Sequence, residues 1–304
     1  AVLLLLVFAI KAALVPLHFW LPSSYAEAPA PVAALFAIMT KVGAYAIIRV
    51  YTLVFPPDLA ITAGLHGQWL LPAALISLAL GAIGVLAAKK LDRLVAFSVI
   101  GSMGMVMIAI SMFTPVSIAA ALYYMVHSTF AGAVLFLIVD LVRSGRSHLE
   151  LSTTTPPVAG AALTAALFFV GAIAMAGLPP LSGFIGKLLI LNASFANGAA
   201  VWIWAVILIS SLVSIVGFSR AGSVVFWKAQ SVPRPEGEAV PDRPATLSYV
   251  AVGGLVALLV AHTVFAGQVH GYTTAISAQL FAPDAYISTV LDTPGKMSTP
   301  KEGY

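Results

Sequence analysis

Gly177-Leu178-Pro179-Pro180-Leu181-Ser182-Gly183 breaks an apolar stretch that otherwise runs from about residue 158 to 195. A helix rises 1.5 Å per residue, so about twenty apolar residues cross roughly 30 Å of hydrocarbon, and this stretch is too long for one straight span. Paired prolines remove backbone donors and free the carbonyls they would have served. Such carbonyls need water or protein partners, and inside a membrane the break is tolerated only where it faces a cavity or a protein interior. The segment is therefore expected to be a broken helix. Lys187 lies one turn beyond the break, within reach of the freed groups. The first apolar segment repeats the arrangement more weakly, with Lys11, Pro16, His18 and Pro22. Two interrupted helices at corresponding places of a transporter mark where the ion passes.

Charged or Pro/Gly-rich breaks divide the rest of the chain into similar spans. Eight helices are expected, at about 1–17, 29–54, 69–88, 93–112, 115–142, 158–195 with its break, 199–219 and 246–266. The 304 residues are 61% hydrophobic and 9% charged, against roughly 25% charged in a soluble domain, so the fold class is all-α, polytopic and membrane-embedded. Period-2 alternation is lacking, which argues against a transmembrane barrel. The chain has no cysteine, so disulfides, thiolate metal sites and cysteine-ligated iron–sulfur clusters are excluded. No cofactor or metal is expected. The net charge of +4 comes from basic residues scattered through loops, without the clustering that nucleic-acid binding needs.

Alternate loops differ in basic residues. Lys89, Lys90 and Arg93, then Arg143 and Arg146, then Arg220, Lys228, Arg234 and Arg243 fall on one side, which is expected to be cytoplasmic. The loops at 55–68, 113–115 and 196–200 carry none. The tail at 267–304, with Lys296 and Lys301, is expected to be a loosely ordered extension on the other side. The opening Ala-Val-Leu-Leu-Leu-Leu does not read as a secretory signal, since it has no basic leading region and no small-residue cleavage site. It reads as the middle of a spanning helix, and an N-terminal part is expected to be missing.

Lys11, Lys41, His127 and Lys187 stand at mid-depth in four apolar segments. An ionisable group at the bilayer centre costs about 2.5–3.5 kcal/mol on insertion scales, so three lysines imply on the order of 8 kcal/mol to be offset. Lys41 is too deep for its four-carbon stem to reach the interface. His127, in Tyr123-Tyr124-Met125-Val126-His127-Ser128-Thr129, is either a hydrogen-bonded core histidine or a relay that accepts on one nitrogen and donates on the other. His18, close to Trp20, is an interfacial residue or a proton entrance. Arg49 lies near its helix end and is expected to snorkel. Asp140 is expected to pair locally near Arg143, and Glu27 either to favour the dipole end of the second helix or to collect protons. His66, His148, His262 and His270 read as loop or interface residues. Walker loops, dinucleotide fingerprints, metal-spaced histidines and nucleophile elbows are lacking.

Desolvated lysines can be switched between charge states by a neighbouring charge, so a row of them joined by water forms a proton pathway at mid-membrane. Arginine would hold its proton too tightly for this.

Several runs carry a family likeness: Lys11-Ala-Ala-Leu-Val-Pro-Leu-His-Phe-Trp-Leu-Pro22, Ala26-Glu-Ala-Pro-Ala-Pro-Val32, Thr40-Lys-Val-Gly43, Lys90-Leu-Asp-Arg-Leu-Val-Ala-Phe-Ser98, Ile100-Gly-Ser-Met-Gly104 and Leu178-Pro-Pro-Leu-Ser-Gly-Phe-Ile-Gly-Lys187. Up to about residue 266 the chain resembles the antiporter-like subunits shared by respiratory complex I and Mrp-type cation/proton antiporters, most closely the D-type member of the Mrp (Mnh, Pha) complex. The resemblance implies the C-terminal portion of a fourteen-helix inverted-repeat fold, with 1–266 as the transmembrane domain and 69–219 as its second five-helix repeat. It matches Lys11 to the lysine of the seventh, broken helix, Lys41 to the bridging lysine of the eighth, His127 to the histidine of the eleventh, and Lys187 to the terminal lysine or glutamate of the twelfth. The fifth-helix glutamate that pairs with the Lys11 equivalent lies outside the sequence. Ser102 stands where many relatives carry histidine or glutamine, and Val126-His127 where some have two histidines.

These features favour a proton-translocating subunit of a multisubunit sodium or potassium/proton antiporter, working in a cell membrane with other membrane subunits. The alternatives are a membrane-arm subunit of an NADH:quinone oxidoreductase and a structural scaffold.

Overall fold

The structure, a computed structural model, describes residues 1–56, 59, 60, 62, 64–146, 148–233 and 244–292. Arg234, Arg243, Lys296 and Lys301 lie outside the described residues. Among the described residues the regular elements are helices, with a single antiparallel bridge between Lys90 and Glu150.

Chain order runs α1 (Val2–Lys11), α2 (Trp20–Glu27), α3 (Ala30–Leu53), a π-helical turn (His66–Leu70), α4 (Leu71–Ala87), α5 (Leu91–Met112), α6 (Pro115–Gly145), α7 (Ala161–Ala176), α8 (Ser182–Ala193) and α9 (Ala200–Gly222). A π-helical turn (Ser223–Trp227) and a 3-10 turn (Lys228–Ser231) follow, then α10 (Thr246–Val264), α11 (Ala266–Leu280) and α12 (Asp284–Asp292). Among the described residues, six helical stretches are long and apolar enough to cross a membrane, and shorter apolar helices at Val2–Lys11, Ala161–Ala176 and Ser182–Ala193 make up the first and the broken segments. The eight expected spans are thus present, and the chain is a multi-pass membrane protein.

Both expected breaks are present. α7 ends at Gly177, which has φ +72°, and α8 starts at Ser182. Between α1 and α2, residues 12–19 leave the helical path, with Ala13 at φ 53°. α6 is started by a reciprocal cap: the Ser117 amide donates to Thr114 Oγ1 (3.2 Å) and the Thr114 amide donates to Ser117 Oγ (3.0 Å), with Pro115 at the first helical position.

Basic loops gather at one end of the bundle. Arg143 pairs with Asp92 (3.3 Å), Lys90 with Glu150 (3.6 Å), and Arg220 donates to the Ala88 carbonyl (2.6 Å). Arg146, 7% exposed, donates to the carbonyls of His148 and Glu150 and to Thr155 Oγ1, pinning the loop after α6. Burial pushes its guanidinium below the usual arginine range. Arg49 places its guanidinium 4.6 Å from the Tyr286 ring centroid.

The core consists of two apolar clusters. One, around Val85, Leu91, Val99, Phe136, Val142 and Val158, lies toward the basic end; the other, around Leu5, Ile47, Leu70, Phe113, Ile118 and Ile190, lies toward the opposite end. Along α3, α5, α6 and α8 the residues at the join of the clusters are polar: Thr40 and Lys41, Ser102, His127 and Ser128, Ser182 and Lys187. A polar layer at mid-height therefore separates two hydrophobic halves.

Three expectations are corrected. Residues 266–280 are not part of a loose extension: α11 packs along α6, and Ser277 Oγ donates to the Pro115 carbonyl (2.7 Å), while 293–304 lie outside the described residues. Asp140 makes no ion pair among the described residues, because Arg143 turns instead to Asp92 on α5; Asp140 lines an open groove between α3, α6 and α10. Glu27 closes α2 rather than opening α3, and its carboxylate lies 3.8 Å from the Arg93 guanidinium.

Candidate functional site in the mid-membrane polar layer

Lys41 is the twelfth residue of α3, about 16 Å along its axis at 1.5 Å per residue. It is 5% exposed, and Nζ has no hydrogen-bond partner among the described residues. Snorkelling is thereby excluded for this side chain. His127 lies about 18 Å along α6 and is fully buried. Its Nδ1 meets Ser182 Oγ at 2.9 Å, the first residue of α8, so the second break positions the imidazole directly. Its Nε2 makes no well-formed hydrogen bond among the described residues, although the Ala174 backbone lies beside the ring. Gly183 lies against that nitrogen, since a Cβ at this position would come within 2.7 Å of Nε2.

Lys187 reaches back across the break. Nζ donates to the Ala176 carbonyl at 2.5 Å and to Ser211 Oγ at 2.7 Å, and Ser211 in turn donates to the Ile207 carbonyl on α9. The Ala176 carbonyl is one of those left without an intrahelical donor where α7 stops. Gly177 leaves room for the lysine: its φ of +72° suits glycine, and a Cβ there would come 2.7 Å from Nζ. Lys187 also borders a cavity of about 20 Å³ that Tyr124, Ser98, Ser102, Ser210 and Ser214 help line. That is room for about one water molecule, and hydroxyls are suitable partners for it. Ser102, at the position where the resemblance leads one to expect histidine or glutamine, donates its hydroxyl to the Val99 carbonyl (2.8 Å) beside this cavity.

Lys41, Lys187 and His262 all lie within electrostatic reach of His127. Lys11 and His18 are not among these groups, and Lys11 packs against α3 at Gly43, two residues past Lys41. Lys11 ends α1 on an exposed side, bordering an open groove of about 450 Å³ with Val7, Ile10, Trp20, Tyr25 and Met39. His18 is half-buried in the irregular stretch between α1 and α2, and its buried Nδ1 lacks a protein partner among the described residues.

His262 is the correction among the histidines. It is 5% exposed on α10 rather than interfacial, with its ring centroid 4.4 Å from that of Tyr123. His148 lies in the loop as expected, accepting from the Glu150 amide, whereas the side chain of His66 lies outside the described residues. Sequence reading also missed Ser211, the hydroxyl partner of Lys187. Its signal was present: Ser210, Ser211 and Ser214 break the apolar run of α9 at helical spacing.

The family described as NADH:quinone oxidoreductase/Mrp antiporter, TM, matches residues 1–214. The chain is 35% identical to a Na(+)/H(+) antiporter subunit, of the D type, from Bacillus subtilis over 95% of its own length and 57% of that protein. It is 33% identical to a probable K(+)/H(+) antiporter subunit, again of the D type, from Rhizobium meliloti over 94% of its length and 57% of that protein. The chain therefore spans somewhat over half the length of these relatives. In fold it is similar to a chain of the Mrp complex from Dietzia sp. DQ12-45-1b, with TM-score 0.80 and 22% identity over 94% of this chain and 60% of that one. It is also similar to a chain of respiratory complex I from Thermus thermophilus with bound NADH, with TM-score 0.75 and 29% identity over 91% and 58%. By the match over residues 1–214 and by identity over nearly its whole length, the chain belongs to the NADH:quinone oxidoreductase/Mrp antiporter family of membrane subunits.

Proposed function

We propose that this chain is the C-terminal part of a proton-translocating subunit of a multisubunit sodium or potassium/proton antiporter. Protons move along a mid-membrane relay of Lys11, Lys41, His127 and Lys187, with His18 at a proton entrance, and the basic loops face the cytoplasm of a plasma-membrane protein. Residues 69–219 form its second five-helix repeat. The observation that carries the reading is the polar layer itself. Lys41 Nζ and His127 Nε2 are buried without hydrogen-bond partners among the described residues, and His127 lies in electrostatic reach of both Lys41 and Lys187. Each such unpaired group costs about 1–3 kcal/mol if left dry, so internal water is the expected partner, and water is what a relay across these gaps requires.

The chemistry follows from the contacts. A proton arriving on Lys41 raises the positive potential at His127 and Lys187, which favours release of a proton farther along the row. Lys187 is held by a carbonyl and a hydroxyl, both acceptors, so its ammonium form is stabilised locally while its amine can still discharge into the hydroxyl-lined cavity. Arginine at these places would remain charged and stop the relay.

Relatives that share a third of the sequence over nearly the whole chain bear antiporter names, which favours the antiporter over the redox complex. The likeness to a chain of respiratory complex I keeps a membrane arm of an NADH:quinone oxidoreductase as the second reading. Co-purifying subunits separate the two: a peripheral arm with flavin and iron–sulfur clusters favours the redox complex, small membrane proteins alone the antiporter. The test of the relay is Lys41→Ala and Lys187→Ala in the assembled complex, each expected to abolish cation-dependent proton exchange while assembly persists. Unchanged exchange in both would leave a structural scaffold as the better account.

A further inference from the structure

Among the described residues, buried side-chain nitrogens without a protein partner are Nδ1 of His18, Nζ of Lys41, Nε2 of His127, Nε of Arg220, Nε2 of His262 and Nδ1 of His270. Arg220 belongs to the basic end, where its other nitrogen holds Ala88. His18, Lys41 and His127 belong to the relay. His262 and His270 have no role in it.

Several contacts tie His262 to His127. Its ring packs on Tyr123, while the next residue, Tyr124, lies 5.4 Å from the His127 ring by centroids. Ser182 bridges the pair from the other side, since its hydroxyl meets His127 Nδ1 and its amide donates to Thr263 Oγ1 at 2.9 Å. Tyr123 is one helical turn nearer the start of α6 than His127, so His262 lies one step from His127 toward the non-basic face.

From there polar groups continue. α11 follows α10 after the single residue Phe265, and the less exposed positions on this side include His262, Ala266, His270, Thr273 and Ser277 beside Val269, Ile276 and Leu280. Their spacings of three and four place them on one helical face. Thr273 is 4% exposed and Ser277 fully buried, bonded to Pro115 at the outer start of α6. This helix buries Thr273 and Ser277 together with Leu280, with Ile276 partly buried against the same apolar cluster, and leaves Tyr272 outward. The His262 ring also lies against the Tyr123 backbone, while its buried Nε2 keeps no hydrogen-bond partner among the described residues, and an unpaired buried donor or acceptor is costly.

We propose that His262 is a proton-relay residue on an outward branch, which leaves the mid-membrane row at His127 and follows the α6–α11 seam past His270 to the non-basic face. The imidazolium of His127 gives the proton on Nε2, through water, to the unprotonated Nε2 of His262. His127 becomes neutral and His262 the cation; one N–H bond breaks and one forms. His262 then discharges through water to Nδ1 of His270 and returns to neutral, and His270 releases the proton outside. Imidazole suits both stations because it titrates near neutral pH and offers two nitrogens.

The branch rests on the proposed relay, and paired variants separate the two. In everted vesicles containing the assembled complex, cation-dependent proton exchange is followed with a pH-sensitive dye for wild type, Lys41→Ala, His262→Gln and His262→Leu, with assembly checked by co-purification. Glutamine keeps size and hydrogen bonding but does not titrate, so H262Q and H262L are both expected to lose at least about tenfold in exchange. Wild-type exchange in H262Q with loss in K41A overturns the branch and leaves the relay standing, whether or not H262L is impaired. Wild-type exchange in both K41A and H262Q overturns the relay and the branch with it. If neither His262 variant assembles, His270→Gln at the half-buried ring reads the same seam: a severalfold loss supports the branch and unchanged exchange overturns it.

Discussion

Lys41→Met is expected to make the protein more stable and inactive at once. Methionine matches the unbranched lysine stem in length and volume, so it leaves no cavity and needs no repacking. What it removes is an amine 5% exposed and without a hydrogen-bond partner among the described residues. The insertion cost of a central lysine, about 2.5–3.5 kcal/mol, sets the upper bound of the gain, and local hydration lowers it to about 2 kcal/mol. At roughly 2–4 °C per kcal/mol for chains of a few hundred residues, the thermal midpoint rises by about 4–8 °C. Lys187→Met supplies the control. There the amine donates to the Ala176 carbonyl and to Ser211 Oγ, and its loss strands the carbonyl at the end of α7. Hydrogen bonds from a charged donor are worth about 1.5–3 kcal/mol, which cancels the gain from removing the charge and leaves K187M near wild type. Near-ultraviolet circular dichroism on the purified complex gives both midpoints, and dye-monitored exchange in vesicles gives both activities. A K41M midpoint at or below that of K187M would refute the unpaired-amine reading, because it would mean that Lys41 has a stabilising partner. A stabilised K41M with full exchange would refute the relay.

Gly177→Ala forces a side chain onto φ +72° and brings its Cβ to 2.7 Å from Lys187 Nζ, so a loss of about 1–2 kcal/mol from the left-handed backbone should accompany impaired exchange; a neutral variant on both counts contradicts the close approach. Arg146→Ala removes three hydrogen bonds to the loop after α6, a loss of about 3 kcal/mol, and hydrogen exchange of residues 148–160 should rise while that of α5 does not. Asp92→Asn removes the partner of a half-exposed Arg143 and is expected to cost about 1 kcal/mol or less in a thermal melt; a loss several times larger would show that the basic end depends on this pair.

Depth along a helix is a one-dimensional quantity, and the features legible in the sequence are those that depend on it. Lys41 is buried because it stands about eleven residues from the start of a span whose ends are marked by Pro29 and the 55–68 loop. The Lys187 contact with Ala176 was equally local, since a break and an amine one turn beyond it leave little choice of partner. Where the outcome depends on which neighbour stands beside a segment, the sequence misleads. Arg143 is three residues from Asp140 but bonds Asp92 on another helix. His262 reads as a loop or interface residue in sequence, and the Gly267-Gln268-Val269-His270-Gly271 that follows it has the composition of a helix end. The helix continues because α6, 31 residues and about 46 Å long, extends beyond the roughly 30 Å of hydrocarbon and offers α11 a surface to pack on. Composition cannot separate a solvated loop from a polar face buried against a protein neighbour, since both are rich in Gly, Gln, His, Ser and Thr. The difference lies in a partner helix long enough to cover it, and that length, visible as the uninterrupted run from Pro115 to Gly145, places His262 inside the bundle.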